Sequence, residues 1–425
     1  MRHTPLAQTF FRRMDSLMTL RTRRPLRSFS LAAAFASAVL LQTMPGSAAT
    51  LQVGPNKTYR TVRAAALAAQ DGDVVLIDAG VYTGDVASWN ANNLIVRGVG
   101  GRAQMVANGA NEAGKGIWVV NGINFTAENI EFSGATVPDM NGAGIRNDTS
   151  GYLVVRNCYF HDNQNGILGG ADSMLVEYCV FDHNGAGDGR THNMYIWGRT
   201  VTVRYTYSHR ANVGHNLKTR GQNNYILYNR IMDESDGTAS YSIDVPDCGR
   251  TYIIGNVIEQ GPLTENSGIV AYGMESATNV QDLYVSNNTI VNNRPAGGTF
   301  LQLRSGVPAT VRNNILYGPG TPWSGGIVVA AGNYIEPSTN NSPGFAAPAS
   351  YDFHLTAASP AGIVNAGVAA GLSATGFVLT PSSEYVYDAQ GRSRPGIGAL
   401  DLGAFEYGSS STADVIAPGA VMDLR

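Results

Sequence analysis

RNCYF at 156–160 and EYCVF at 177–181 are two copies of one short unit, and further copies flank them. ENIEF (128–132) comes before; RYTYS (204–208), LYNRI (227–231), IGNVI (254–258), NNTI (287–290) and RNNIL (312–316) come after. Aligned on their last residue they give the column Phe132, Phe160, Phe181, Ser208, Ile231, Ile258, Ile290 and Leu316, at spacings of 21 to 32 residues. Two residues earlier stand Ile130, Cys158, Cys179, Thr206, Asn229, Asn256, Asn288 and Asn314. Side chains alternate across a strand, so both columns face one way, into a core. Asparagines stacked at one inward place predict an amide ladder along a solenoid. A second strand recurs in each unit: GIRND (144–148), GILGG (166–170), NMYIW (193–197), NLKTR (216–220), SIDVP (242–246) and GIVAY (268–272). Short alternating strands with Gly and Asn at the corners define an all-β fold, a right-handed parallel β-helix. A sandwich or propeller requires regular hairpin spacing, which the sequence lacks.

Outward from these repeats, Tyr59 to Gln70 is a short amphipathic stretch with Val62, Ala65, Ala66 and Ala69 on one face. It predicts a helix capping the open N-terminal end of the rod. Residues 1–49 read as a signal peptide: a basic region with Arg12, Arg13, Arg21, Arg23, Arg24 and Arg27, an apolar run Phe29 to Leu41, then small residues. Export to the periplasm or the medium is the expectation. The β-helix is expected over 50–345, a closing module over 346–408, and a linker or tail over 409–425. Loss of 1–49 removes seven Arg and one Asp, taking the formal charge from −3 to −9. An acidic mature chain has no global field for nucleic acid, so an anionic substrate must meet a local basic patch. No membrane span is expected after the leader, and the rod is expected to be a monomer.

Three cysteines do not make a disulfide framework. Cys158 and Cys179 occupy equivalent places on successive coils, which stack at about 4.8 Å. Parallel Cβ vectors suit a disulfide poorly, so a buried thiol pair is expected there. Cys248 stands alone in a turn.

The chemistry concentrates between Arg190 and Arg250, in GRTHNMYIWGRT (189–200), GHNLKTRG (214–221) and SYSIDVPDCGR (240–250). From Arg190 to Arg230 there are seven Lys or Arg and no Asp or Glu; the sign then flips over Asp233, Glu234, Asp236, Asp244 and Asp247. With Met194, Leu217, Ile243 and Ile269 inward, alternation turns Tyr195, Lys218, Asp244 and Val270 outward. Two residues on, Trp197, Arg220, Pro246 and Tyr272 share that exposed face. His192, His215 and Tyr241 form a column at the upstream corner. Asp233 and Asp236, in the DESDG turn, and Asp244 are candidate Ca²⁺ ligands; a solvated turn is the plainer reading of the first two.

The DGDVVLIDAGVY segment (71–82), the strands just quoted, SPAGIVNAG (359–367) and DLGAFEY (401–407) resemble the right-handed β-helix superfamily of secreted polysaccharide lyases and related carbohydrate-active proteins. The resemblance spans 51–408. It implies a lyase that cleaves a uronic-acid polysaccharide by β-elimination. GHNLKTRG is similar to the Lys and Arg pairing that members use as base and carboxylate partner. β-Elimination needs a cation to neutralise the uronate carboxylate, a base for the C5 proton and an acid for the leaving O4. Arg220 is expected to take the first task and Lys218 the second, the guanidinium being expected to lower the lysine's pKa. His215, His192 and Tyr195 are the candidate acid or alternative base. Trp197, Tyr241, Asp244, Tyr272 and Arg146 are candidate substrate contacts. A glycoside hydrolase using Asp244 with Asp247 or Asp233, a C5-epimerase, and a non-catalytic polysaccharide-binding or adhesin rod are the alternatives.

Overall fold

In a computed structural model the described residues are 48–409; the leader, save its last two residues, and the tail from 410 lie outside them. The described chain is a parallel β-helix with three short strands in each full coil. One coil consists of Thr200–Arg204, Tyr207–His209 and Leu217–Thr219; the next repeats it with Asn223–Leu227, Arg230–Met232 and Ile243–Val245. Every rung pairs in parallel with its neighbours. The first two strands of the coils join one 21-stranded sheet, and the third strands stack as a separate 10-stranded sheet.

The sharp corner between the first two strands is made by one left-handed residue. Asn129, Asn157, Tyr178, Tyr205, Tyr228, Gly255, Asn287 and Asn313 occupy it, at φ between 50° and 67°. Asparagine tolerates this region better than most residues, which explains the Asn that precedes so many ladder positions.

The inward column follows the expected alignment from Phe132 to Leu316. Phe132, Phe160 and Phe181 stack with centroids 4.9 and 4.7 Å apart, and Trp118 closes the stack edge-on. The amide ladder runs Asn229–Asn256–Asn288–Asn314 and gains Asn333, each Nδ2 donating to the next Oδ1 at 2.9–3.0 Å. A second ladder, unseen in the repeats, joins Asn163, Asn184, Asn193 and Asn216 at 2.9–3.1 Å. It ends on Asp233, whose carboxylate accepts from Asn216 Nδ2 and Thr264 Oγ1. Asp233 is therefore fully buried rather than part of a solvated turn. Such ladders let a narrow core hold polar groups, because each buried amide finds both its donor and its acceptor.

Cys158 and Cys179 are adjacent, inward and unbridged, the Cys158 N–H lying 3.5 Å from Cys179 Sγ. Cys248, read as alone in a turn, is also a buried free thiol. Its side chain packs against Gly273, where a Cβ would lie 2.5 Å from Sγ. The helix is shorter than expected, Val62–Ala68, because Thr61 caps it and Asp85 accepts the N–H groups of Val62 and Arg63. Val62, Ala65 and Ala66 bury its apolar face.

After the last rung the chain lies along the outside of the rod. Phe345, Phe353, Leu355, Ile363 and Phe405 pack on outward residues of the long sheet such as Val180, Met232 and Val257. Hydroxyls pin it further: Tyr205 to Ser383 at 3.0 Å and Tyr252 to Ser373 at 3.2 Å. Among the described residues no helix is long and apolar enough to cross a membrane.

Candidate active site

The 10-stranded sheet fixes which side chains meet. Its pairing puts Arg146, Leu168, Tyr195, Lys218, Asp244, Ala271 and Gln302 in one outward column. Tyr195, Lys218 and Asp244 thus stand on three successive coils. The register departs from expectation at the next coil, where Val270 rather than Ile269 pairs with Ile243. This one-residue offset turns Tyr272 inward, where it is fully buried and donates to the Gly249 carbonyl at 2.7 Å. Tyr272 is a core residue and no substrate contact. In this register Gly268 lies beneath Tyr241, whose ring would be 2.8 Å from any Cβ there.

The upstream corner carries His192, His215 and Tyr241, with ring centroids 4.6 and 5.2 Å apart. His192 Nδ1 accepts the backbone N–H of His215, and His215 Nδ1 accepts that of Tyr241. Both rings therefore carry their proton on Nε2, and that of His215 lies 3.4 Å from Asp244 Oδ2. Burial, with Lys218 nearby, pushes His215 down to about 3, and burial pushes His192 well below its ordinary value. Both are neutral rings whose free acceptor is already committed, which suits them to positioning rather than to proton abstraction.

Lys218 and Arg220 project together, but they are not the bare cations expected from an acid-free stretch. Lys218 Nζ lies 3.1 Å from Asp244 Oδ2 and 2.7 Å from Glu275 Oε1. Arg220 donates to Tyr195 Oη at 2.7 Å, to Asp247 Oδ2 at 2.6 Å and to Glu275 Oε2. Burial opposes charge on Lys218, yet Asp244 and Glu275 outweigh it and raise its pKa above the ordinary lysine value. The expected lowering by Arg220 is thus reversed by two carboxylates. Asp244 is pushed up to about 6, chiefly by burial, against the pull of Lys218. His192, His215, Lys218 and Asp244 are all under a tenth exposed, so this is a covered cleft rather than an open face. Both cations lie near the Tyr195 ring, at 5.4 and 5.6 Å from its centroid.

Trp197 lies across Gly170, where a Cβ would sit 2.1 Å from the indole. The glycine is what allows the ring to lie down on the sheet. Beside it opens a groove of about 640 Å³ lined by Asp148, Asp172, Trp197, Arg220, Asp247 and Thr278. Arg146 stands two rungs from Tyr195 and pairs with Asp148 at 2.7 Å.

The candidate metal ligands do not converge. Asp233 ends the second ladder, Asp244 pairs with Lys218, and Asp236 lines a different groove with His183 and Arg210. Among the described residues no group of three or more His, Cys, Asp or Glu side chains is placed to hold a metal ion. These aspartates do not fit a shared Ca²⁺ site.

Glu275 is the residue that sequence reasoning missed. It follows a strand 57 residues beyond Lys218, in a turn with no counterpart in other coils. Only the correct register reveals that this turn folds back over the site.

Fold and cleft together define a parallel β-helix protein with an aromatic-lined site of paired cations and carboxylates on one sheet. In fold the chain is similar to the crystal structure of pectate lyase Pel9A, with a TM-score of 0.54 and 16% identity, over 85% of this chain and 97% of that one. No protein-family model matches the sequence. No curated protein matches it either.

Proposed function

We propose that this chain is a polysaccharide lyase that cleaves a uronate-containing polymer by β-elimination. The observation that carries the reading is the Lys218–Arg220 pair beside Tyr195, with Arg220 also lining the groove that Trp197 lines. Arg220 neutralises the substrate carboxylate and so acidifies the C5 proton. The neutral form of Lys218 takes that proton, the electron pair forms the C4–C5 double bond, and the C4–O4 bond breaks. The departing oxygen takes a proton from Tyr195 or from water. Asp244, held by His215, orients the Lys218 ammonium between turnovers. The fold similarity to a pectate lyase supports the reaction class, and the leader read over 1–49 fits a polymer met outside the cytoplasm.

The raised pKa of Lys218 gives the pH dependence its sign. The base works only when deprotonated, so kcat should climb with pH through the neutral range and still be climbing near the ordinary lysine value of about 10.4. A bell centred on neutral pH assigns the base elsewhere. Arg220→Ala should raise KM and lower kcat together, because its contact with the carboxylate precedes proton transfer. An unchanged KM removes Arg220 from substrate binding.

A further inference from the structure

We propose that Lys218 and Arg220 form a carboxylate-binding subsite which Glu275 fills in the free protein, so that an acidic sugar enters by exchanging its carboxylate for this one. The inference rests on the reading of the pair as the uronate-binding centre. Glu275 puts one oxygen on Lys218 Nζ and the other on Arg220, spanning two cations on and just past the strand Leu217–Thr219. A bidentate carboxylate between an ammonium and a guanidinium is the arrangement a uronate requires there.

The exchange is mechanically simple. The turn is held by its backbone, the N–H groups of Glu275 and Ser276 both donating to the Pro246 carbonyl at 3.0 and 2.9 Å. The Glu275 side chain is 49% exposed, so rotation about its own bonds carries the carboxylate into water. Neither cation is stranded when it leaves, since Asp244 still faces Lys218 and Asp247 still faces Arg220. Thr278 and Asn279, from the same turn, line the groove beside Arg220 and Trp197, so an incoming chain meets this turn directly.

Charge then sets the specificity. Two cations face Asp244, Asp247 and Glu275, an excess of one negative charge. Exchange of Glu275 for a ligand carboxylate keeps that balance, whereas a neutral sugar offers nothing to hold the pair. Removing the internal competitor should therefore tighten the binding of carboxylates.

The test uses lysine chemistry on the whole protein. The chain has only three lysines, Lys57, Lys115 and Lys218, so each is followed separately by mass spectrometry after trace acetylation with acetic anhydride. Glu275→Gln and Glu275→Ala should speed labelling of Lys218 at least tenfold over wild type and leave Lys57 and Lys115 unchanged, which also reports an intact fold. Sodium galacturonate, glucuronate or acetate should slow Lys218 labelling again in the variants, at concentrations at least tenfold below those wild type needs. Galactose should not. Equal Lys218 labelling in wild type and both variants, or protection by galactose as strong as by the acids, overturns the proposal. Protection without any unsaturated product keeps the subsite and removes the lyase reading; unsaturated product without protection does the reverse.

Discussion

Lys218→Ala is expected to lower turnover by about 10²–10⁴-fold, the range for loss of a general base, with a smaller loss of substrate affinity. The ground state loses one of its two carboxylate contacts while Arg220 keeps the other, and the transition state loses its base as well. Asp244 remains buried in that variant with His215 as its neighbour. Its pKa, already about 6, lets it take up a proton rather than stay as an unpaired charge, so the fold should survive. Lys218→Arg should not rescue turnover, since a guanidinium stays protonated at any working pH. Steady-state kinetics with a direct binding measurement checks both halves. Full activity in Lys218→Ala moves the base to Tyr195 or Asp244.

The second large effect concerns the rod itself. Asn256 sits in mid-ladder: its Nδ2 donates to the Ile226 carbonyl and to Asn288, and its Oδ1 accepts the backbone N–H and the Nδ2 of Asn229. Asn256→Ala removes all four bonds and leaves the Asn229 N–H buried without a partner. One orphaned donor at about 1–3 kcal/mol, with three further bonds lost at about 1 kcal/mol each, gives an expected loss of roughly 4–6 kcal/mol. Asn256→Asp keeps the acceptor but buries a carboxylate in place of the amide donor, so it should rescue little. Urea unfolding read by far-ultraviolet circular dichroism measures this. A loss below about 1 kcal/mol contradicts the ladder as a structural element.

Much of the rod was legible because its inward positions repeat as residue types. Phe over Phe and Asn over Asn survive irregular spacing, so the first ladder and the core column could be aligned by eye. The second ladder was hidden because Asn163, Asn184, Asn193 and Asn216 come from corners at unequal distances along the chain, two of them only 9 residues apart. Three apolar residues in a row make GIVAY blind to period-2 alternation. There Tyr241 lies against the empty side of Gly268, a contact between coils that no strand pattern records. The error misplaced Tyr272.

The site was legible as a set of cations and aromatics, and illegible as an electrostatic environment. Between Arg190 and Arg230 the sequence shows no acid, so Lys218 reads as a cation beside a cation. In three dimensions its nearest charged neighbours are Asp244 and Glu275, from the next coil and the one after, and they reverse the sign of its pKa shift. Charge sums over sequence windows are blind to stacking, which puts residues a coil apart into contact. Asp233 shows the same blindness in a buried place: DESDG reads as a wet turn, yet its first residue terminates an amide ladder.

One measurement tests the central claim most directly. The purified protein is incubated with a panel of uronate polysaccharides, with and without chelator, and ultraviolet absorption of the C4–C5 double bond is followed with time. The account predicts absorbing, shortened products from at least one polymer, and none from Lys218→Ala. Shortened products that do not absorb would mark a hydrolase. Inverted C5 centres in an uncut chain would mark an epimerase, and a whole panel left intact by wild-type protein contradicts the lyase reading outright.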